Sequence, residues 1–331
     1  MRQNLPFDPL FLFSTPLQQT FLGTFLYVPK DPPSQTKYLP LKDGDVLALE
    51  VSTPPQWQKT DLTVVMLHGL CGSHRSTLMV RMAKKLFQEK VRTVRVNLRG
   101  SGSGRGMAKK FYHSGLTEDI FEVLRSVKKE TPLSPVVLVG YSLSGNLVLK
   151  LVGEMGFEAK AFVSKVISLS PPLNLKESAR RFESPENYLY LHYFTSLLKE
   201  ELKYLKAHVP AFCSLKWPKD LNFTQFNELF IVPQFGFQNL DDYYQKSSAK
   251  PLVSKIEVEA RILFCHDDPL VSSHELDGLA LPDNIAIYYT EKGGHLGYVT
   301  SPLHEHGFYW LDGLLLKWIL GKDDVVNQPR F

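Results

Sequence analysis

The sequence predicts an α/β fold, with a mostly parallel sheet of eight strands flanked by helices and an inserted helical cap. Three observations carry that expectation. Short β-like runs alternate with helical patterns through residues 61–170, and such alternation builds parallel sheets covered by helices. The strand candidates, "PVVLVG" at 135–140 among them, are almost unbroken apolar runs, as strands buried on both faces are. The interval 173–250 then interrupts the alternation with helical stretches, and strand patterns return at 260–266 and 284–290. A length of 331 residues suits one large domain with an insertion. The expected division is a core at 1–172 with an N-terminal arm at 1–35, a helical cap at 173–250, and a second core segment at 251–331.

Taken in order, the arm "MRQNLPFDPLFLFSTPLQQTFLGTFLYVP" has one early arginine, and Pro6, Pro9 and Pro16 interrupt its apolar residues. With no small-residue cleavage site following, it does not read as a signal peptide. No run approaches the roughly 18–20 apolar residues of a membrane span. The arm is expected to pack on the core, with peripheral contact to a membrane surface as the alternative. A hairpin around Asp43-Gly44 comes next, at 36–51. It is followed by a buried strand (61–68), a helix (76–90), a strand (91–97) and the loop "RGSGSGRG" (99–106). In the helix at 117–130, Thr117 is placed as the cap, acids fill the first turn and lysines the last, and Ile120, Phe121, Leu124 and Val127 share a face. Beyond the strand at 135–140 come a helix apolar nearly all round and a strand at 164–170. In the inserted interval, Ser184 as N-cap and Pro185 at the first helical position start a long helix.

Composition excludes several function classes. Lys+Arg 38 against Asp+Glu 34 leaves a formal charge of +4, too small and too dispersed for a nucleic-acid partner. The 3 cysteines, Cys71, Cys213 and Cys265, are widely spaced with no C-x-x-C. They suggest neither a disulfide framework nor a zinc cluster, but reduced thiols in the cytoplasm.

The chemistry centres on Gly140-Tyr141-Ser142-Leu143-Ser144-Gly145, a corner between strand and helix. A phosphate loop is disfavoured because Asn146 stands where its lysine belongs. The glycines at 100–106 never fall into G-x-G-x-x-G register, so a dinucleotide site is disfavoured too. A nucleophile elbow remains, in which Ser142 takes strained angles and its neighbours two residues away must be small. Ser144 stands where the strict motif has Gly, a compact replacement. A serine needs an imidazole to take its proton and a carboxylate to orient that imidazole, and in this motif they follow the serine in the order acid, histidine. The strand at 260–266 runs into "HDDPLV" and that at 284–290 into "EKGGHLGYV". The catalytic candidates are therefore Ser142, Asp268 and His295, with Asp267 the alternative acid. Leu70 and Leu143 are assigned to the oxyanion hole through their amides. His68, Tyr141 and His113 are assigned to substrate contact, with loop support as the competing role for the two histidines.

On these pieces, together with "VNLRGSGS", "YHSGLTEDI" and "QFGFQNLDDYYQKSSA", the chain resembles the α/β-hydrolase superfamily, in particular its YheT-like branch. "PLQQT" near the N-terminus is similar to a His-Leu-Gln-Thr segment of that branch, with Pro16 for the histidine. The resemblance implies a Ser-Asp-His hydrolase with a helical cap, acting as an esterase, a lipase on acyl lipids, or an acyltransferase to alcohols. The expected activity is cleavage of carboxylic esters through an acyl-enzyme on Ser142, with no metal or organic cofactor. Transfer of the acyl group to an alcohol or thiol is the first alternative, and a noncatalytic binding protein the second. The expected partner is a small acyl ester, including a lipid; no obligate protein partner is inferred.

Overall fold

A computed structural model of the chain describes residues 1–26 and 29–322. Residues 27–28 of the expected arm and 323–331 of the expected second core segment lie outside the described residues. Among the described residues the sheet has nine strands: β1 (Arg2–Asn4), β2 (Gln35–Pro40), β3 (Val46–Ser52), β4 (Thr63–Leu67), β5 (Arg92–Asn97), β6 (Val136–Tyr141), β7 (Lys165–Leu169), β8 (Glu259–Cys265) and β9 (Ile285–Thr290). Their spatial order is β1-β9-β8-β7-β6-β4-β5-β3-β2, and β3 runs antiparallel to β2 and β5 while the other pairs are parallel. The expected count of eight strands is thus corrected. The ninth, β1, is three residues of polar sequence with no periodicity to read, and it becomes a strand by pairing with β9 in the register Arg2↔Ile287.

Helices α1 (Pro16–Phe25), α2 (Thr77–Gln88), α3 (Thr117–Glu130) and α4 (Leu143–Met155) precede the inserted interval. Within it lie α5 (Leu175–Phe182), α6 (Tyr188–His208), the short α7 (Phe223–Phe226), α8 (Val232–Phe235) and α9 (Leu240–Ser247); α10 (Trp310–Leu320) follows β9. Because side chains alternate across a strand, the sheet feeds two cores. Val65, Leu67, Leu138 and Val166 meet Ile120 and Val123 of α3 and Leu147 and Val148 of α4. Val64, Met66, Val139 and Ile167 meet Met79 and Met82 of α2 and Trp310 and Leu314 of α10. Both faces are apolar, which is why the central strands read as continuous runs.

Two helix starts differ from expectation. Leu116 holds the N-cap position of α3, and the Thr117 hydroxyl donates instead to Glu154 Oε2 at 2.6 Å. Pro185 opens only a single 3₁₀ turn, Pro185–Asn187, with no side-chain cap bond from Ser184, and α6 begins at Tyr188. The arm contains a helix with no counterpart in the expected element list, although Thr15 and Gln18 form a capping box and Pro16 stands at the first helical position. The arm packs on the core through buried Phe7 and Gln19, while Phe11 and Leu12 stay 84% and 74% exposed. Among the described residues, no helix is long and apolar enough to cross a membrane.

Strands β7 and β8 pair directly, so α5 to α9 are carried between two neighbouring strands. These helices have an apolar cluster of their own, with Leu198, Leu202, Phe226, Phe230 and Tyr244 in it. Glu275 props the start of α5, accepting from Asn174 N–H (2.9 Å) and Ser178 Oγ (3.2 Å). Burial pushes its carboxyl from 4.5 up to about 7. A carboxyl raised on folding stabilises the fold below its unfolded value, and that contribution is lost as pH rises through the folded value. Glu275→Gln is therefore expected to match the parent in thermal unfolding at pH 4.5 and to exceed it by on the order of 2 kcal/mol at pH 8.

Candidate active site

Ser142 sits between β6 and α4 at φ 52°, ψ −120°, a backbone region that L-residues occupy only when their surroundings hold them there. Ser142 N–H donates to Leu169 O (2.8 Å) and Gly145 N–H donates to Ser142 O (2.7 Å). Position 140 has to be glycine, since a Cβ there would lie 2.2 Å from the Ser144 carbonyl oxygen. Ser144, the departure from the strict motif, has a use: its buried hydroxyl donates to His68 O at 2.5 Å, tying α4 to the loop after β4. Ser144→Gly leaves that buried carbonyl unpaired and puts a flexible residue in the first helical turn. It is expected to cost on the order of 2 kcal/mol, read as a lower denaturant midpoint at unchanged slope.

The other two triad candidates lie beyond the carboxyl ends of β8 and β9. His295 Nε2 is 2.8 Å from Ser142 Oγ, and His295 Nδ1 is 2.8 Å from Asp268 Oδ2. Asp268 is buried, and its other oxygen accepts from Leu270 N–H (2.9 Å) and Val271 N–H (3.1 Å), so the carboxylate is held at both ends. Arg181 of α5 donates to the carbonyls of Asp268 (3.0 Å) and Pro269 (3.1 Å), fixing the turn from above. Asp267 faces elsewhere, accepting from Gly294 N–H (2.8 Å) and Cys265 Sγ (2.9 Å). It braces the turn that carries His295 without touching the imidazole.

Leu143 is the first residue of α4, so its N–H has no partner within the helix and adds to the positive end of the helix dipole. Leu70 and Leu143 border the same cavity as Ser142. The loop after β4 that carries Leu70 is fixed tightly. A Cβ at Gly69 would lie 3.3 Å from Ser142 Cβ, Cys71 takes φ 55°, and Cys71 N–H donates to Tyr112 Oη at 2.8 Å. Burial pushes the Cys71 thiol up to about 12, which makes it a poor nucleophile.

The residues assigned to substrate contact are engaged with the protein. His68 Nε2 accepts from Leu98 N–H (3.1 Å) and Nδ1 bonds Gly69 O (2.7 Å), so both ring nitrogens are occupied. Burial pulls its imidazole down to about 4 and keeps it neutral. His113 accepts from Gly115 N–H (3.1 Å) and packs on Phe235, and burial pulls it down to about 3. Both therefore support loops. Tyr141 is buried in the core beneath the elbow and, like His68, lines the cavity that also borders Ser142 and His295. Among the basic residues of these loops, Arg99 is buried and paired with Asp119 (2.7 Å), Asp45 (2.6 Å) and Asp43 (2.7 Å), while Arg105 pairs with Glu201 and lies over Tyr204.

Two cavities meet at the Ser142–His295 pair. A tight one of about 90 Å³ is walled by Leu143, Leu175, Phe182, Phe194 and Phe223. A larger one of about 450 Å³ runs between α1 and α6, past Phe21, Phe25, Tyr190 and Tyr193. Tyr188, on the same helix as Tyr190 and Tyr193, is 64% exposed and stacks on His192. Sequence reasoning missed Tyr112, Arg181 and Thr20 as supports of the site. The "PLQQT" likeness was the available signal for Thr20.

Comparison with known proteins gives the following. Residues 63–302 match the family model described as alpha/beta hydrolase fold. Over 287 residues the chain is 28% identical to "Putative esterase YheT" of Escherichia coli (strain K12), covering 85% of this chain and 83% of that one. It is 26% identical over 261 residues to "Phospholipase ABHD3" of Homo sapiens, covering 78% of this chain and 62% of that one, under two thirds of the relative's length. Among solved structures, Est1E from Butyrivibrio proteoclasticus with bound ferulic acid shares the fold with a TM-score of 0.56 at 16% identity, over 86% of this chain and 98% of that one.

Proposed function

The chain belongs to the α/β-hydrolase family, and from that premise we propose that it is a serine hydrolase that cleaves carboxylic esters, with Ser142 as nucleophile, His295 as general base and Asp268 as orienting acid. The observation that carries the reading is the unbroken relay of two 2.8 Å contacts from Ser142 Oγ through the imidazole to Asp268. Nucleophile, base and orienter within hydrogen-bond reach are the geometric signature of acyl transfer. The names of the two relatives, an esterase and a phospholipase, support an acyl ester as substrate.

In the mechanism, His295 Nε2 takes the Ser142 proton as Oγ attacks the ester carbonyl. The amides of Leu70 and Leu143 receive the developing oxyanion. Collapse expels the alcohol, which leaves with the proton from His295, and the acyl group stays on Ser142. Water, deprotonated by His295, then attacks the acyl-enzyme, and collapse releases the acid as His295 returns that proton to Ser142 Oγ. The segment from α5 to α9 acts as a cap whose aromatic walls screen the acyl group. The free thiols Cys71, Cys213 and Cys265 support a reducing, cytoplasmic setting.

The test is a chain-length series of p-nitrophenyl esters with the purified protein, beside labelling by a fluorophosphonate. Turnover and a Ser142 adduct are expected; neither appearing would leave a binding protein. The largely apolar walls of the smaller cavity, Leu143, Leu175, Phe182, Phe194 and Phe223 among them, are the one feature that favours passing the acyl group to an alcohol. Product analysis with added alcohol separates transfer from hydrolysis.

A further inference from the structure

We infer that Thr20, on the arm helix α1, is a positioning residue for His295; the inference rests on the reading of His295 as the general base given above. The turn that carries His295 is conformationally costly. Gly293 (φ 141°), Gly294 (φ 59°), Leu296 (φ 64°) and Tyr298 (φ 50°) all have positive φ, and Leu296 and Tyr298 carry side chains that disfavour it. A segment of this kind keeps its shape only if outside groups hold it. Asp267 holds Gly294, and α1 supplies the next ties. Thr20 Oγ1 accepts from His295 N–H at 2.9 Å, and Gln19 Oε1 accepts from Val299 N–H at 2.7 Å while Gln19 Nε2 donates to Val299 O at 3.0 Å.

Helix and turn also meet backbone to backbone. A Cβ on Gly294 would lie 2.4 Å from Pro16 O, one on Gly297 would lie 2.2 Å from Gln19 O, and one on Gly23 would lie 2.6 Å from Gly297 Cα. The Thr20 oxygen is therefore not an incidental partner. It is fixed by its own donation to Pro16 O (2.8 Å) and by Tyr190 Oη of α6 at 3.4 Å. It pins the amide of the residue whose ring must lie between Ser142 and Asp268. Removing that acceptor leaves the His295 amide without its partner while the ties at Gly294, Gly297 and Val299 keep the turn in place, so the ring's alignment loosens and the fold remains. No atom of Thr20 takes part in proton transfer, so its effect falls on how often the ring is aligned.

The experiment compares Thr20→Val, which keeps the shape and loses the acceptor, with Thr20→Ser, which keeps the hydroxyl. Thr20→Ala serves as a second acceptor-free variant, and melting temperatures verify folding. Valine is expected to lower kcat for a p-nitrophenyl ester by about 10- to 100-fold with KM within about twofold, and serine to stay within about threefold of the parent. Independently of turnover, the downfield proton resonance of the His295–Asp268 hydrogen bond should persist in the parent and the serine variant and broaden away in the valine variant. A valine variant with parental kcat and resonance, or a serine variant as impaired as valine, overturns the positioning role and leaves the catalytic reading intact. A parent that neither turns over esters nor labels at Ser142 overturns the catalytic reading, and the resonance comparison still decides whether Thr20 holds the ring.

Discussion

Ser142→Ala is expected to lower ester turnover by on the order of 10⁶ while leaving the fold in place. The size follows from the relay acting as a unit: without Oγ, the imidazole has no proton to accept and no acyl-enzyme forms. Alanine occupies the same strained corner as serine, at φ 52°, and the backbone bonds to Leu169 and Gly145 remain. Melting temperature should therefore change little. A residual rate of roughly 10³–10⁴ over the uncatalysed reaction should survive, supplied by the oxyanion amides and substrate binding. Steady-state assay against the parent, with fluorophosphonate labelling as the second readout, checks it. Retention of more than a few per cent of parental turnover would remove Ser142 from the mechanism.

The second large effect is expected at Asp268. Its Oδ2 lies 2.8 Å from His295 Nδ1, placed to accept a hydrogen bond from it, while Oδ1 is held by the amides of Leu270 and Val271. In Asp268→Asn those two amides keep the side-chain oxygen where it is, so the NH₂ group faces the imidazole. The ring then accepts at Nδ1 and carries its proton on Nε2, against Ser142 Oγ, where it cannot act as a base. A fall in kcat of about 10⁴ is expected. Asp267→Asn is the control from the same turn. Its oxygen can still accept from Gly294 N–H, and a loss of no more than about tenfold is expected. If asparagine at 267 were the more damaging of the two, the assignment of the acid would be reversed.

These residues were legible because the chemistry restricts what can stand at the end of a strand. A small-residue corner after β6, an acid turn after β8 and a glycine-flanked histidine after β9 each follow an apolar run, and apolar runs are strong signals. Pro269, which follows Asp268 in a rigid turn, is the local feature that separates Asp268 from Asp267. The three-dimensional reason, that Asp267 is spent on Gly294, has no trace in local sequence. Strand β1 was illegible because its three residues have no pattern apart from the edge of β9 that they complete. The burial of Arg99 was illegible because its partners Asp43, Asp45 and Asp119 come from the β2–β3 turn and from α3. Pairing over such separations is decided by the fold.

The arm also imposes an order on synthesis. Its contacts with Tyr289 and Val299 reach across most of the chain, the Gln19–Val299 bonds spanning 280 positions. At about 5–20 residues per second, the arm waits roughly a quarter of a minute to a minute after leaving the ribosome before its partners emerge. During that time Phe7 and the apolar side of α1 have nothing to cover them, and chaperone demand should fall on this stage of biogenesis. The turn carrying His295 would be the last part of the site to acquire its shape.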